Sequence, residues 1–156
     1  MEDLQSDFNL AIGRDSKGLK KRRKRTENLF KQTPDEYDIS MTGHSLGGHT
    51  AVDSALRSNH VRNRVKDIHT YNGAFSPFTK VGKKKVQDLD NKVTHHRIEG
   101  DAVSSIHKIS PAIGSVKTYK PKNKNKYKYK VIPKHLQKTF NSLDQLNNHS
   151  ISNFLP

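Results

Sequence analysis

The stretch from Tyr37 to Arg57, YDISMTGHSLGGHTAVDSALR, contains three kinds of sequence in succession. Its first part, Tyr37 to Thr42, alternates large and small side chains and carries the β-branched and aromatic types that suit a buried strand. A glycine-rich turn follows. Leu46 to Arg57 then spaces Leu46, Ala51, Val52, Ala55 and Leu56 as the apolar face of a helix. Gly43, Ser45 and Gly47 fall on the turn in the spacing G-x-S-x-G. A serine hydroxyl attacks only when a base takes its proton, and it cannot meet a carbonyl from within a helix. A turn between strand and helix, with glycines two residues to either side, lifts the serine into reach. A merely tight or phosphate-binding glycine turn shares the spacing; the strand before and the helix after favour a nucleophile.

Outward from this unit, Val65 to Tyr71 (VKDIHTY) and Val93 to Ile98 (VTHHRI) read as two more strands. Between them Lys80 to Asn91 is a lysine-rich connection with room for a short helix. Ser115 to Lys120 reads as a short edge strand that Pro121 ends. Upstream, Asp3 to Lys31 has helical spacing, weakened at Gly13 and Gly18 and broken at Thr33, Pro34 and Asp35. Downstream, His135 to Leu146 is helical by pattern, and Asn147 to His149 lead into a last apolar turn, Ile151 to Leu155. Connections of crossover length predict an α/β fold with a mostly parallel sheet flanked by helices. The division expected is a basic helical segment over 1–32 and an α/β domain over 33–156.

Composition sets limits on this reading. The 156 residues are 31% hydrophobic and carry a formal net charge of +14, so the core is expected to be thin and the surface attractive to phosphates. Without cysteine there is no disulfide, no thiolate nucleophile and no cysteine-built zinc site. No histidine pair has the spacing of a zinc hydrolase, and neither a P-loop nor G-x-G-x-x-G occurs, so no metal and no cofactor are expected. The start, MEDLQSDFNL, lacks the basic and apolar regions of a signal peptide, and no apolar run approaches the ~18 residues of a membrane span. An intracellular or virion-associated protein is the expectation.

The hexapeptide GHSLGG, Gly43 to Gly48, preceded by YDISMT, resembles the nucleophile elbow of the class 3 (fungal-type) lipases within the α/β-hydrolase superfamily. The resemblance runs over roughly Tyr37 to Leu155. It implies a Ser-His-Asp triad in the chain order Ser, Asp, His, with an acid just after a later strand and a histidine near the C-terminus. Asp101, in the turn after VTHHRI, matches the acid, and Glu99 is the substitute beside it. His149, in NNHSISNF, matches the base; His60, His69, His95, His96, His107 and His135 fall outside the expected places. By the same resemblance the Leu46 N–H binds the oxyanion, His44 shapes the turn before the nucleophile, and Gly43 and Gly47 complete the elbow. The activity implied is hydrolysis of carboxylic esters, on acylglycerol or phospholipid or a small ester, with the positive surface docking on an anionic membrane.

The family's earlier strands, which carry the second oxyanion donor, have no match before Ser45. Three accounts stay open: an enzyme of reduced architecture, a chain completed by strands of a partner, or a descendant kept for binding. The rival to the hydrolase is a basic structural or nucleic-acid-binding protein, for example virion-associated. It would use the runs Lys17 to Arg25 and Lys120 to Lys130, where Tyr127 and Tyr129 lie among lysines. The same runs also suit a solvated helix face and a lysine-protected sheet edge.

Overall fold

A computed structural model describes residues 17–73, 83–101, 113–121 and 150–155. The expected helical stretches over 3–16 and 135–146, most of the lysine-tyrosine run, and His149 lie outside the described residues. The elements in chain order are α1 (Lys17–Gln32), β1 (Ile39–His44), α2 (Leu46–Arg57), α3 (Asn59–Arg64), β2 (Val65–Tyr71), α4 (Lys83–Asp90), β3 (Val93–Ile98), β4 (Ser115–Tyr119) and a 3₁₀ turn, Ile151–Phe154.

The four strands form one sheet in the order β1-β2-β3-β4, and every neighbouring pair is parallel. Sequential parallel neighbours joined by right-handed crossovers place their helices on one face. Accordingly α2 lies across β1 and β2 and touches α1, α3 and α4. Between this helical layer and the sheet sits one apolar cluster that includes Phe30, Val52, Ala55, Leu56, Val61, Val65, Ile68, Leu89 and Val93. The α/β class with a parallel sheet is therefore the observed architecture.

β1 begins and ends two residues later than the alternation suggests. Tyr37 is 60% exposed, and its N–H donates to the Pro34 carbonyl in the turn after α1, so it is spent before the strand starts. Pairing with β2 then continues through Gly43 and His44, up to the point where the backbone of Ser45 turns away.

Helix α3, NHVRNR, has no amphipathic signature of its own. Two of its arginines hold the ends of the preceding helices. Arg62 is buried and donates from Nη1 to the Ala55 and Leu56 carbonyls at the end of α2. Arg64 donates to the carbonyl of Phe30 in the last turn of α1 and to those of Thr33 and Pro34 just beyond it. A cation at a helix C-terminus satisfies orphaned carbonyls and complements the dipole there. α1 is further tied to α2 by Arg23, whose Nη1 lies 2.6 Å from the buried Asp53 carboxylate; Arg57 approaches the other oxygen at 2.8 Å.

Candidate active site

All four strands of a parallel sheet end on the same side, and β1 delivers Ser45 there. Its backbone has φ 53° and ψ −122°, the region in which a tight turn ordinarily places glycine. A non-glycine residue held there costs about 1–3 kcal/mol, and such strain gathers at functional sites. The surroundings enforce it. On one side the Ser45 N–H donates to the Tyr71 carbonyl at 3.0 Å, continuing the ladder with β2. On the other its carbonyl already accepts from His49, the first bond of α2. Strand and helix thus claim the same residue, and the left-handed φ is what reconciles them.

The glycines divide unevenly. A Cβ on Gly43 would stand 2.4 Å from the Gly47 carbonyl carbon, and one on Gly48 would stand 2.9 Å from both the Gly43 oxygen and the Thr70 Cβ. A Cβ on Gly47 would meet nothing within 4 Å. Close packing therefore requires Gly43 and Gly48, whereas the motif spacing points to Gly43 and Gly47. The N–H groups of Leu46, Gly47 and Gly48 belong to the first turn of α2, where no intrahelical carbonyl faces them and the helix dipole is positive.

Asp101 is completely buried at the end of β3. Its N–H donates to the Ile98 carbonyl at 3.1 Å, and Gly100 between them has φ 79°, the third-position geometry of a type II turn. Asn72 holds this turn in place. It is fully buried at φ 44°, its N–H donates to the His96 carbonyl, and its Oδ1 accepts from the Ile98 N–H at 2.8 Å. The residue after β2 thereby locks the end of β3, a positioning role that sequence reasoning missed; its signal was an Asn-Gly pair closing a strand. Because β2 lies between β1 and β3, a strand spacing of about 4.8 Å puts the ends carrying Ser45 and Asp101 roughly 10 Å apart. An imidazole bonded at both nitrogens spans a gap of that order.

His149 lies outside the described residues, but the chain immediately after it is placed. Ser150 caps the 3₁₀ turn by accepting the Ser152 N–H, and Phe154 meets Tyr71 and Tyr119 edge-on, with ring centroids 5.0 and 5.9 Å apart. Tyr71 is also the residue whose carbonyl binds Ser45. The C-terminal turn therefore docks at the Ser45 end of the sheet, on the face opposite the described helices.

On that face His69, Tyr71, His96 and Tyr119 form a band of rings. The His69 Nδ1 and His96 Nε2 are 3.0 Å apart, His96 stacks on Tyr71 at 4.8 Å, and its Nδ1 is 2.8 Å from the Tyr119 hydroxyl. Burial, reinforced by the neighbouring His69 and Lys117 charges, holds the His96 imidazole below its ordinary pKa. His95 points the other way and is structural. Its Nε2 lies 2.7 Å from the Ile113 carbonyl, which accepts only, so that nitrogen carries the proton and Nδ1 accepts from the Thr70 hydroxyl. Among the described residues no three His, Asp or Glu side chains are grouped as metal ligands. No helix among them is long and apolar enough to cross a membrane.

The sequence matches the family model of the Mbeg1-like proteins over residues 3–144. The chain belongs to the Mbeg1-like family. No curated protein and no solved structure matches it. Membership in that lipase-like family agrees with a hydrolase-like α/β fold and by itself specifies neither a triad nor a substrate. The match takes in the elbow and Asp101; residue 149 follows its end.

Proposed function

We propose that this Mbeg1-like chain is a serine hydrolase of carboxylic esters, with acylglycerol or phospholipid as its substrate class. The observation that carries the reading is the strained left-handed backbone of Ser45 between a parallel strand and the first turn of a helix. Ser45 Oγ attacks the acyl carbonyl while His149 takes its proton, and the Leu46 N–H stabilises the oxyanion. His149 returns the proton to the departing alcohol, and water then cleaves the acyl-serine by the same steps in reverse. Asp101 holds the imidazole in the useful tautomer, and Asn72 positions the Asp101 turn. The positive surface brings the site to anionic lipid.

Labelling with a fluorophosphonate and turnover of p-nitrophenyl butyrate test the reading. Labelling that disappears in Ser45→Ala, with folding intact, is the expected result. A folded wild-type protein that takes no label and turns over no ester ends it.

A second reading is favoured by α1, where Lys17, Lys20, Lys21, Arg22, Lys24 and Arg25 are all exposed. In this reading the protein binds nucleic acid through phosphate contacts, and its affinity falls steeply with salt and is indifferent to Ser45→Ala. A flat salt dependence removes it.

A further inference from the structure

Tyr71, His96 and Tyr119 stack in that order on the face of the sheet opposite the described helices, with successive centroids 4.8 and 5.8 Å apart. Phe154 of the C-terminal turn meets both outer rings edge-on, so the ring between them, His96, sets the spacing of the seat on which that turn rests. Each nitrogen of His96 has a partner: Nδ1 lies 2.8 Å from the Tyr119 hydroxyl, and Nε2 lies 3.0 Å from His69 Nδ1. The other nitrogen of His69, Nε2, stands 3.7 Å from the Asp67 carboxylate, which favours a proton there. With both rings neutral, the Tyr119 hydroxyl then donates to His96 Nδ1, and His96 Nε2–H donates to His69 Nδ1. A first added proton charges His69 beside Asp67. His69 Nδ1–H now donates to His96 Nε2, and His96 Nδ1–H donates to the Tyr119 oxygen, so the pair survives. A second proton places an N–H on both facing nitrogens, and the contact at 3.0 Å is left with two donors and no acceptor.

We propose that the His69–His96 pair is an acid-sensitive latch for the C-terminal turn: once both imidazoles are protonated the rings part, the stack opens and Phe154 leaves its seat. The charges on this face decide where that second proton is resisted. From β2 the groups beside the pair are Asp67 and Tyr71; from β4 they are Lys117, which is the register partner of His96, and Tyr119. From β1, His44 lies across from Tyr71, and the turn Ile151–Phe154 brings no titratable side chain. The acid in this set, Asp67, sits at His69, so an imidazolium at position 96 has the cations His69 and Lys117 as its charged neighbours. Burial first, and then those two charges, hold His96 below its ordinary value of 6.5. Neutral His96 is thus the form the folded stack binds, and the latch opens as pH falls below that value. Ser150, the cap of the turn, directly follows His149 in the chain, so release of the turn displaces the proposed base and switches the hydrolase off in acid. That consequence rests on the serine-hydrolase reading; the latch itself does not.

The test follows the full 156-residue chain, isotope-labelled, by NMR from about pH 8 to about pH 5, reading the Phe154 ring contacts with Tyr71 and Tyr119 and the amides of Asn153 and Leu155. Both ring contacts are expected to vanish with a midpoint below pH 6.5 that coincides with the titration of the His96 ring, while the amide of the buried Ile68 keeps its position. In His69→Gln the amide side chain can accept from or donate to His96, so a bond is available in either protonation state and the turn is expected to stay seated down to about pH 5. The exposed Lys117→Gln removes a cation beside His96 and is expected to raise its proton affinity about twofold, moving the midpoint upward. Should His69→Gln fail to fold, the shift in Lys117→Gln decides. Phe154 contacts that persist to about pH 5 in the wild type overturn the proposal, as does a midpoint that neither variant alters. Loss of the Ile68 signal together with the turn overturns it as general acid unfolding. Fluorophosphonate labelling over the same range separates the latch from the enzyme: labelling that falls with the turn supports both, whereas turn release in a chain that takes no label at any pH keeps the latch and ends the hydrolase reading.

Discussion

At the scale of single residues, Ser45 and its glycines separate stability from chemistry. Ser45 occupies backbone space suited to glycine, so Ser45→Gly is expected to raise stability by about 1 kcal/mol in urea denaturation while abolishing fluorophosphonate labelling. A Ser45→Gly protein that is less stable than wild type would mean that the hydroxyl, not the backbone, holds the turn. Gly43→Ala and Gly48→Ala must push backbone or the Thr70 side chain aside and are expected to cost roughly 1–3 kcal/mol or more. Gly47→Ala, with open space above it and an exposed helical position, is expected to leave the melting temperature level or higher. His96 adds a pH dependence. Its folded pKa is depressed, so the unfolded chain binds the proton more readily; the contribution is fully present above about pH 6.5 and is lost as pH falls below it. Melting curves at pH 7.5 and pH 5.5 are expected to differ less for His96→Gln than for the wild type.

At the scale of elements, α1 is joined to the rest of the protein by few but strong connections. The Asp53 carboxylate is 2% exposed and bridges Arg23 of α1 to Arg57 of α2, and Phe30 enters the common core. Asp53→Ala leaves the Arg23 guanidinium largely buried without its acid, and a loss of about 3 kcal/mol is expected by chemical denaturation, with α1 amides the first to exchange. Equal protection of α1 and α2 in that variant would show that Phe30 alone docks the helix. The strand-turn-helix unit was legible in the sequence because a strand, a turn and a helix each write their period locally. Helix α3 was not, since its reason for existing is the carbonyls at the ends of α1 and α2, which Arg62 and Arg64 reach across space. Asn72 and His95 escaped for the same reason: their partners, Ile98 for the one and Thr70 and Ile113 for the other, lie far away along the chain.

At the scale of the whole molecule, the +14 charge opposes compaction, and the arginines that cap helices and bind Asp53 neutralise little of it. Thermal stability is therefore expected to rise as sodium chloride increases from 20 to 200 mM, as screening relieves self-repulsion. A fall over that range would show that ion pairs such as Arg23–Asp53 outweigh the repulsion. The sheet's one-directional order also has a geometric consequence. With every crossover moving away from β1, the strand that leads into Ser45 is the outermost of the four described strands and lies beside a groove.

The local pattern of residues 37–57 was enough to single out Ser45, and with the crossover-length connections to the strands read at 65–71 and 93–98 it predicted a parallel α/β fold, because periodicity and turn chemistry act between near neighbours in the chain. The resemblance carried by GHSLGG pointed to Asp101, as a residue placed just after a later strand. The tertiary structure alone decided that Gly48, rather than Gly47, is the glycine the packing demands, that Asn72 locks the Asp101 turn, and that β1 is the outermost of the four described strands. Each of these depends on which strand lies beside which, and that is set by the packing of the helical layer on the sheet, through contacts between residues far apart in sequence.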